Sequence, residues 1–334
     1  MVSIVIVNYN GLKWLKDCFD SIEQQNYKDI QIIMVDNDSK DESVDFVLKN
    51  YPQVEIVYSK SNLGFAGGNN LAIEHIKGEY VILLNNDTKV EKNTIGNLVK
   101  ALDNNKKIGS VQAKLVLMNE PEKLDICGAF WTGSTFLYYY GCFKNKNLEI
   151  YNKPMKVFSN KGAAQMIRKS IIDKIGLFDD DFWSYYEETD FCHRVWISGS
   201  ECWYEPSAVV YHANGGTSLN FKNEFVQFHN YKNKLMSFIK NFDKIELIMI
   251  IPKYIFMTIM ISFIYFLQGK FKMGLAIYKS YIWNIVNLKS NLGKRKTIQN
   301  FRERDDKSIL KDIQRNPRWK YYLYLFTGLE KYVD

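Results

Sequence analysis

The chain has 334 residues, 46% of them hydrophobic and 24% charged, with only 19 glycines and 6 prolines. That balance excludes a low-complexity or fibrous chain and leaves length for one large domain or two modest ones. The formal net charge of +7, from 44 Lys and Arg against 37 Asp and Glu, points to an anionic partner, with nucleic acid, acidic lipid and nucleotide phosphates all qualifying. The five cysteines (Cys18, Cys127, Cys142, Cys192 and Cys202) are odd in number and lack C-x-x-C spacing. Reduced thiols are therefore expected, not a disulfide framework or a zinc site. The opening "MVSIVIVNYN" carries neither a basic leader nor a cleavage site, so no secretory signal is expected.

The first 120 residues alternate two patterns. Apolar, β-branched runs occur at "VSIVIV", "IQIIMV", "VEIVYS", "YVILL" and "GSVQAKLVL". Between them, Leu12, Leu15, Phe19 and Ile22 step by three and four, as do Ile95, Leu98, Val99 and Leu102. This alternation predicts an α/β fold: a mostly parallel, Rossmann-like sheet flanked by helices. Ligands of such sheets bind beyond the carboxyl ends of the strands. "NYNG", "DNDS" and "NNDT" stand at three of those ends, so polar groups gather along one edge.

Each motif carries a chemical reading and a plainer one. Asp36, in "VDNDS", can accept hydrogen bonds from a base imide or a ribose hydroxyl; alternatively Asp38 or Ser39 caps a helix starting near Asp41. "SNLGFAGGNN" opens a helix whose glycines would let backbone N–H groups approach a phosphate, or it is a simple Gly-rich turn. It is neither G-x-G-x-x-G nor a Walker A loop. Asp87 gains weight from the downstream acids Glu187, Glu188 and Asp190 and from His212. Clustered acids need a cation or an assigned proton, and oxygen ligands with few histidines suit Mg²⁺ or Mn²⁺ better than zinc.

Residues 121 to 220 are less regular and rich in aromatics, among them Trp131, Trp183, Tyr185 and Tyr186, which could stack on a sugar or fill a core. With no Pro/Ser-rich linker, they read as the second half of one domain spanning 1–220. From 221 to 334 the character changes. "IELIMIIPKYIFMTIMISFIYFLQGKFK" has the length of a membrane span but contains Pro252 and Lys253. Lys272 and Lys279 follow among apolar residues, then Lys294, Arg295 and Lys296. The expectation is a helical region seated on the cytoplasmic face of a membrane, with a buried helical hairpin as the alternative. Because the basic residues lie beside this segment and not along an aromatic sheet face, nucleic acid is not expected as the partner.

Taken in order and spacing over roughly residues 2 to 220, "SIVIVNYNG", "VDNDS", "NLGFAGGNN", "NNDT", "GLFDDDFWSYYEETDFCHR" and "HANGGTS" resemble the inverting GT-A glycosyltransferases of family 2. The similarity is greatest to the rhamnosyltransferase and galactofuranosyltransferase branch. The resemblance implies a nucleotide-sugar donor, dTDP-L-rhamnose first and a UDP-sugar second, and a glycan or polyprenyl-linked glycan acceptor. It implies that Tyr9 and Asp36 hold the base and ribose, and that Asn62, Gly67, Asn69 and Asn86 line the donor pocket. Asp87 stands at the last position of the family's D-x-D and would ligate Mg²⁺ or Mn²⁺, with His212 as a further ligand. Asn85 departs from that motif. Glu188 would be the catalytic base, Glu187 a neighbour shaping the site, and Asp190 would lie one helical turn on with Arg194. "KGAAQMIR" (161–168) resembles the family segment that shapes the acceptor pocket. Other readings are a catalytically silent nucleotide-sugar-binding protein, which Asn85 would suit, and a nucleotidyltransferase, for which "NYNGLKWL" offers just Lys13. The oligomeric state is left open by the sequence.

Overall fold

The five apolar runs form strands, as the alternation predicts. The computed structural model describes residues 1–213, 222–327, 329 and 332. In chain order come β1 (Val2–Asn8), α1 (Leu12–Glu23), β2 (Ile30–Asp36), α2 (Ser43–Asn50), β3 (Glu55–Tyr58), α3 (Gly64–Leu71) and β4 (Tyr80–Leu84). Next are β5 (Thr88–Val90), α4 (Thr94–Asn104), β6 (Ile108–Leu117), β7 (Leu124–Ile126), β8 (Ala129–Trp131), β9 (Leu137–Tyr139), β10 (Met155–Lys156) and β11 (Ala164–Arg168). After α5 (Lys169–Ile175), α6 (Glu187–Ile197) and β12 (Glu201–His212), the chain is helical: α7 (Asn223–Asn241), α8 (Lys244–Leu267), α9 (Phe271–Val286), α10 (Leu288–Asn300), α11 (Asp306–Ile313) and α12 (Lys320–Thr327).

The main sheet runs β10-β12-β6-β11-β4-β1-β2-β3, with β5 on β12 and β7 on β6. Strands β3, β2, β1 and β4 are parallel, and β11 inserts antiparallel between β4 and β6. Register puts Asn8 level with Asp36, Leu84 opposite Ala164, and His212 opposite both Leu117 and Thr88. The polar residues after β1, β2 and β4, the entry to β11 and the exit of β12 therefore share one edge.

Alternate strand residues serve opposite faces. Ile4, Ile6, Ile32, Met34, Ile82 and Leu84 meet Leu15, Phe19 and Ile22 of α1 and Ile95, Leu98 and Leu102 of α4. Val5, Ile33, Val35, Val81 and Leu83 belong to the other core, which continues through Trp196, Phe238, Tyr254, Ile277 and Ile309. The helices after residue 222 are thus built into the same core as the sheet. Trp131 lies in it, edge-on to Phe158 and Phe238, so it is a packing residue. All five cysteines are free thiols, as composition suggested.

Helix α8 is organised inside out. Its inward stripe is hydroxylic: Tyr254 donates to the Tyr231 carbonyl at 3.1 Å, and Thr258 and Ser262 meet the hydroxyls of Tyr281 and Tyr278 on α9. Gln227 of α7 donates to Tyr265 at 3.1 Å. Its outward residues are apolar, with Ile248, Phe256, Phe263 and Leu267 all more than half exposed, and the surface continues on α9 through Phe271, Ile282 and Ile285. At 24 residues, α8 is the one helix among those described that is long and apolar enough to cross a membrane.

The expected basic cluster is divided. Lys294 pairs with Asp179 and with Asp181 at 2.6 Å, and Arg295 donates to the Ile239 and Phe242 carbonyls. Lys272, Lys279, Lys289 and Lys296 remain exposed. Lys240 of α7 is more deeply committed: 1% exposed, it lies 2.6 Å from Asp179 and 3.5 Å from Asp190. Replacing it with alanine would take one of two cations from each of two carboxylates, leaving Asp179 to Lys294 and the fully buried Asp190 to Arg194. Lys240→Ala should lower stability by about 3–5 kcal/mol, read from the urea midpoint; a change below about 1 kcal/mol would mean that the pairs behave as surface pairs.

Candidate active site

The nucleotide-side residues meet at the ends of β1, β2 and β4. Asp36 closes β2, buried, and accepts from the Ser39 N–H at 3.3 Å. Tyr9 follows β1, half-buried. Asn8 was not anticipated: its amide donates to Ser43 Oγ at 2.9 Å, and its Oδ1 accepts from Asn86 Nδ2 at 2.8 Å. A side chain on Gly11 would collide with that Asn8–Asn86 pair. Asp41, and neither Asp38 nor Ser39, ties the helix starts together, accepting from Leu12 N–H at 3.0 Å and Ser43 N–H at 3.2 Å.

The expected phosphate cradle at α3 is not what the structure shows. Leu63 N–H donates to Asn37 Oδ1 and Gly64 N–H to Asn62 Oδ1, both at 2.9 Å, and Ala66 N–H to the Trp183 carbonyl at 3.0 Å. Those helix-start donors are already taken. The glycines serve close packing instead: a Cβ on Gly68 would press on Val7 of β1, and one on Gly67 on Leu63. Asn69 is buried in the helix, donating to the Phe65 carbonyl at 2.8 Å.

Asp87 and His212 converge. Strand β5 pairs with the end of β12, Ala213 N–H donates to the Asp87 carbonyl at 3.0 Å, and His212 Nε2 lies 3.3 Å from Asp87 Oδ1. The amide nitrogen of Asn85 also lies 3.3 Å from Nε2. Behind the ring, Asp125 accepts from Nδ1 at 2.8 Å, and Lys161 Nζ holds Asp125 bidentately at 2.9 and 3.0 Å. Burial alone would lower the His212 pKa, but hydrogen bonds to Asp125 and Asp87 outweigh it and the net shift is upward. Asp125 is held well below the usual carboxylate range: burial opposes its charge, and Lys161 and His212 overcome that. The remainder of the "HANGGTS" motif, 214–218, lies outside the described residues. Among the described residues no group of three or more His, Cys, Asp or Glu is arranged to hold a metal ion. One carboxylate and one imidazole backed by a second carboxylate do suit a divalent cation whose other ligands are phosphate and water.

Across the edge, the acids of "FDDDFWSYYEETDF" divide by partner. Asp179 and Asp181 face Lys240 and Lys294, and Asp180 accepts from Asn70 at 2.7 Å. Asp190, expected beside the reacting groups, is fully buried among Arg194 at 2.9 Å, Asn241 at 2.9 Å and Lys240. It is an internal anchor, and its pairing with Arg194 is interior, not on the surface as the i, i+4 spacing alone would suggest. Glu187 and Glu188 open α6 with no ion pair among the described residues, and the Oε2 of each is buried without a hydrogen-bond partner there. Burial first, then the charge of Glu188, raises the Glu187 pKa well above normal. Burial raises that of Glu188 too, moderated by backbone N–H groups and Lys161.

Glu188 opens onto a cavity of about 300 Å³ that Lys161, Asp125, Tyr139, Tyr186 and Asn230 also line. Asp125 and Asn230 are not among the site residues that the sequence suggests, and Lys161 figures there only as the first residue of "KGAAQMIR". Asp125 left a signal, a lone acid in the apolar strand "LDI". Trp183 lies outside that lining; its indole donates to the Asn62 carbonyl at 3.3 Å and its ring meets Phe225 edge-on.

A Rossmann-like sheet with a buried Asp–His pair at its carboxyl edge, joined through Asp125 to a cavity that Glu188 also lines, fits the GT-A glycosyltransferase fold. The family described as Glycosyl transferase family 2 matches residues 3–176, and the chain belongs to it. It is 27% identical to an uncharacterised glycosyltransferase of Rickettsia prowazekii (strain Madrid E), covering 75% of each chain. To a low-salt glycan biosynthesis hexosyltransferase of Haloferax volcanii it is 23% identical, over 73% of this chain and 79% of that one. To the N-acetylglucosaminyl-diphospho-decaprenol L-rhamnosyltransferase of Mycobacterium tuberculosis (strain ATCC 25618 / H37Rv) it is 22% identical, over 64% and 76%. Among solved structures, GalNAc-T7 with UDP, GalNAc and Mn²⁺ aligns with TM-score 0.59 at 16% identity, over 73% of this chain and 48% of that one. The chain thus spans about half of that structure. A Pyrobaculum calidifontis mannosyltransferase with GDP-Man and Mn²⁺ aligns with TM-score 0.54 at 13% identity, over 90% and 85%.

Glu187 and Glu188 load each other electrostatically, so their titrations are linked. Ionising these buried carboxyls costs stability, which protonation restores as pH falls through their raised folded pKa. Removing one charge should lower the pKa of the other. Glu187→Gln should therefore move the acid limb of the kcat profile to lower pH; an unmoved limb would show that Glu187 is electrostatically remote from the reaction.

Proposed function

We propose that this family 2 enzyme is an inverting, metal-dependent transferase that moves a sugar from a nucleotide donor to a glycan hydroxyl, with Glu188 as base. The single observation carrying the reading is the cavity at Glu188: a buried carboxylate oxygen with no hydrogen-bond partner among the described residues, in a cavity also lined by Asp125, which holds His212 of the Asp87–His212 pair. dTDP-L-rhamnose is the first donor to test, because a relative is named as an L-rhamnosyltransferase. A UDP-sugar is second, since a structural neighbour carries UDP. The same relative's name supports a polyprenyl-diphosphate-linked acceptor.

In this reading Tyr9 and Asp36 hold the nucleoside, and Asn86, fixed by Asn8, shapes the floor below it. Asp87 and His212 would hold Mg²⁺ or Mn²⁺, which when bound offsets the negative charge growing on the diphosphate. Asp125 keeps Nδ1 of His212 protonated, so that Nε2 faces Asp87. Glu188 withdraws the proton of the acceptor hydroxyl as that oxygen attacks the anomeric carbon from the face opposite the diphosphate. Inversion follows from that geometry. Its raised pKa makes Glu188 a stronger base than an exposed carboxylate. Glu188→Gln should cut kcat about 10²–10⁴-fold while the melting-temperature shift with donor and Mn²⁺ persists, and Asp87→Ala should abolish the Mn²⁺-dependent part of that shift. Full activity in Glu188→Gln would remove the base assignment.

The outward apolar surface of α8 and α9, bordered by Lys272, Lys279 and Lys289, supports a seat on the anionic cytoplasmic face of a membrane. Burying hydroxyls while exposing isoleucine and phenylalanine is the reverse of a water-facing helix. Asn230 lines the cavity while Tyr231 and Lys232 of the same helix meet α8 and α9. One helix thickness, about 10 Å, separates the cavity from the lipid-facing hairpin. The double variant Ile248→Asp/Phe256→Asp should keep its melting temperature and lose flotation with phosphatidylglycerol vesicles. Unchanged flotation together with a changed oligomeric state would identify the surface as a contact between copies.

A further inference from the structure

The segment that delivers Glu188 is bent against the preferences of its own residues. Trp183 (φ 62, ψ −65), Tyr185 (φ 73) and Tyr186 (φ 71) all occupy the left-handed half of backbone space, which bulky side chains avoid. Ser184 N–H donates to the Phe182 carbonyl at 2.7 Å, closing a γ-turn of the rare, strained hand around Trp183. Such a conformation persists only where surrounding structure over-determines it. Immediately after it come Glu187 and Glu188.

The restraint comes from two sides. On the donor side, Ala66 N–H donates to the Trp183 carbonyl at 3.0 Å. Gly64 (φ 70) passes so close that any side chain there would strike Trp183. On the other side stands one residue of α7. Asn233, fully buried, places Nδ2 at 3.0 Å from the Phe182 carbonyl, 2.9 Å from that of Ser184 and 2.6 Å from that of Tyr185. His229, one turn earlier, brings Nδ1 to 3.3 Å from the Phe182 carbonyl, and Lys232 donates to that of Asp181. An aliphatic side chain at 233 would leave three inward carbonyls sharing what remains, and a carboxylate would repel them.

We propose that Asn233 is a positioning residue of this enzyme: its amide gathers the three carbonyls of the aromatic turn and thereby aims Glu188 into the cavity. The proposal rests on Glu188 being the base. It makes a residue outside the matched family region a determinant of the chemical step, acting through the turn without touching the reactants.

The test uses the full chain and hydrolysis of dTDP-L-rhamnose or UDP-glucose, whichever the wild type turns over faster. Asn233→Ala should lower kcat by about 10- to 100-fold with the donor KM within about two-fold of wild type, and with the donor-induced melting shift retained. Asn233→Ser, which keeps one donor, should recover part of kcat. A wild-type kcat in Asn233→Ala overturns the proposal, as does a loss of kcat and donor binding together in step with lost folded protein. If the alanine variant does not fold, Asn233→Ser decides: wild-type kcat in it overturns the proposal, and reduced kcat at unchanged KM supports it. Glu188→Gln, measured alongside, separates the two ideas. Its retaining activity would remove the base, whereas its inactivity beside an active Asn233→Ala would remove the clamp alone.

Discussion

Carboxylates cannot be packed into a protein interior without something to neutralise them, and of the six that residues 179 to 190 carry, Glu187 and Asp190 are buried and Asp179 and Glu188 partly so. The cost of an unpaired buried ion amounts to several kcal/mol. The chain meets it largely with cations from distant sequence: Lys240 and Lys294 reach back to Asp179, and Lys240 joins the local Arg194 at Asp190. His193, further along α6, meets Phe242 edge-on and lies 3.2 Å from Asp306. Apart from the exposed Asp180, which accepts from Asn70, the two glutamates at the start of α6 are the acids of this stretch without an ion pair among the described residues. Their unmatched state is a product of the pairing around them, and it is the property that chemistry at this edge can use.

The opposite half of the site follows another logic. Asp87 stands where an apolar strand ends, and the three-residue strand β5 pins its neighbour Thr88 to His212. Asp125 and Lys161 then fix the imidazole from behind. Asn85 stands where the family motif has an acid, and its amide points at Nε2 of His212. Under the proposed metal-binding role, an amide in place of that acid would supply one anionic ligand fewer, while the described contact still orients the ring.

How much of this could be read from the sequence depended on range. Strands with both faces buried declare themselves as apolar runs, and the ends of such strands in a parallel sheet lie together by topology; hence Asp36, Asp87 and the sheet edge were legible. Helices α1 and α4 showed through a three-four apolar step, because each packs on one face. Motif chemistry misled at α3, where glycines that resemble a phosphate cradle instead permit contact with Val7 and Trp183. It misled again at Asp190, which looks like its neighbours until Lys240 and Asn241 are seen beside it. The basic run at 294–296 read as a lipid-facing patch, yet two of its three members turn inward. Partners from 50 (Asp190 to Lys240) to 119 (Gly64 to Trp183) residues away decide these cases, and spacing within a motif carries no trace of them.

Because one continuous core passes from the strands through Phe238, Tyr254 and Ile309, the boundary near residue 220 is a change of composition without a physical seam. A chimera that grafts the nucleotide-binding half of a relative onto this C-terminal region would have to import the relative's own cations opposite its acidic loop, or leave charges buried on both sides of the join. The motif-bearing segment is therefore not a cassette to be exchanged at its border; its acidic loop travels with the helices that sit behind it.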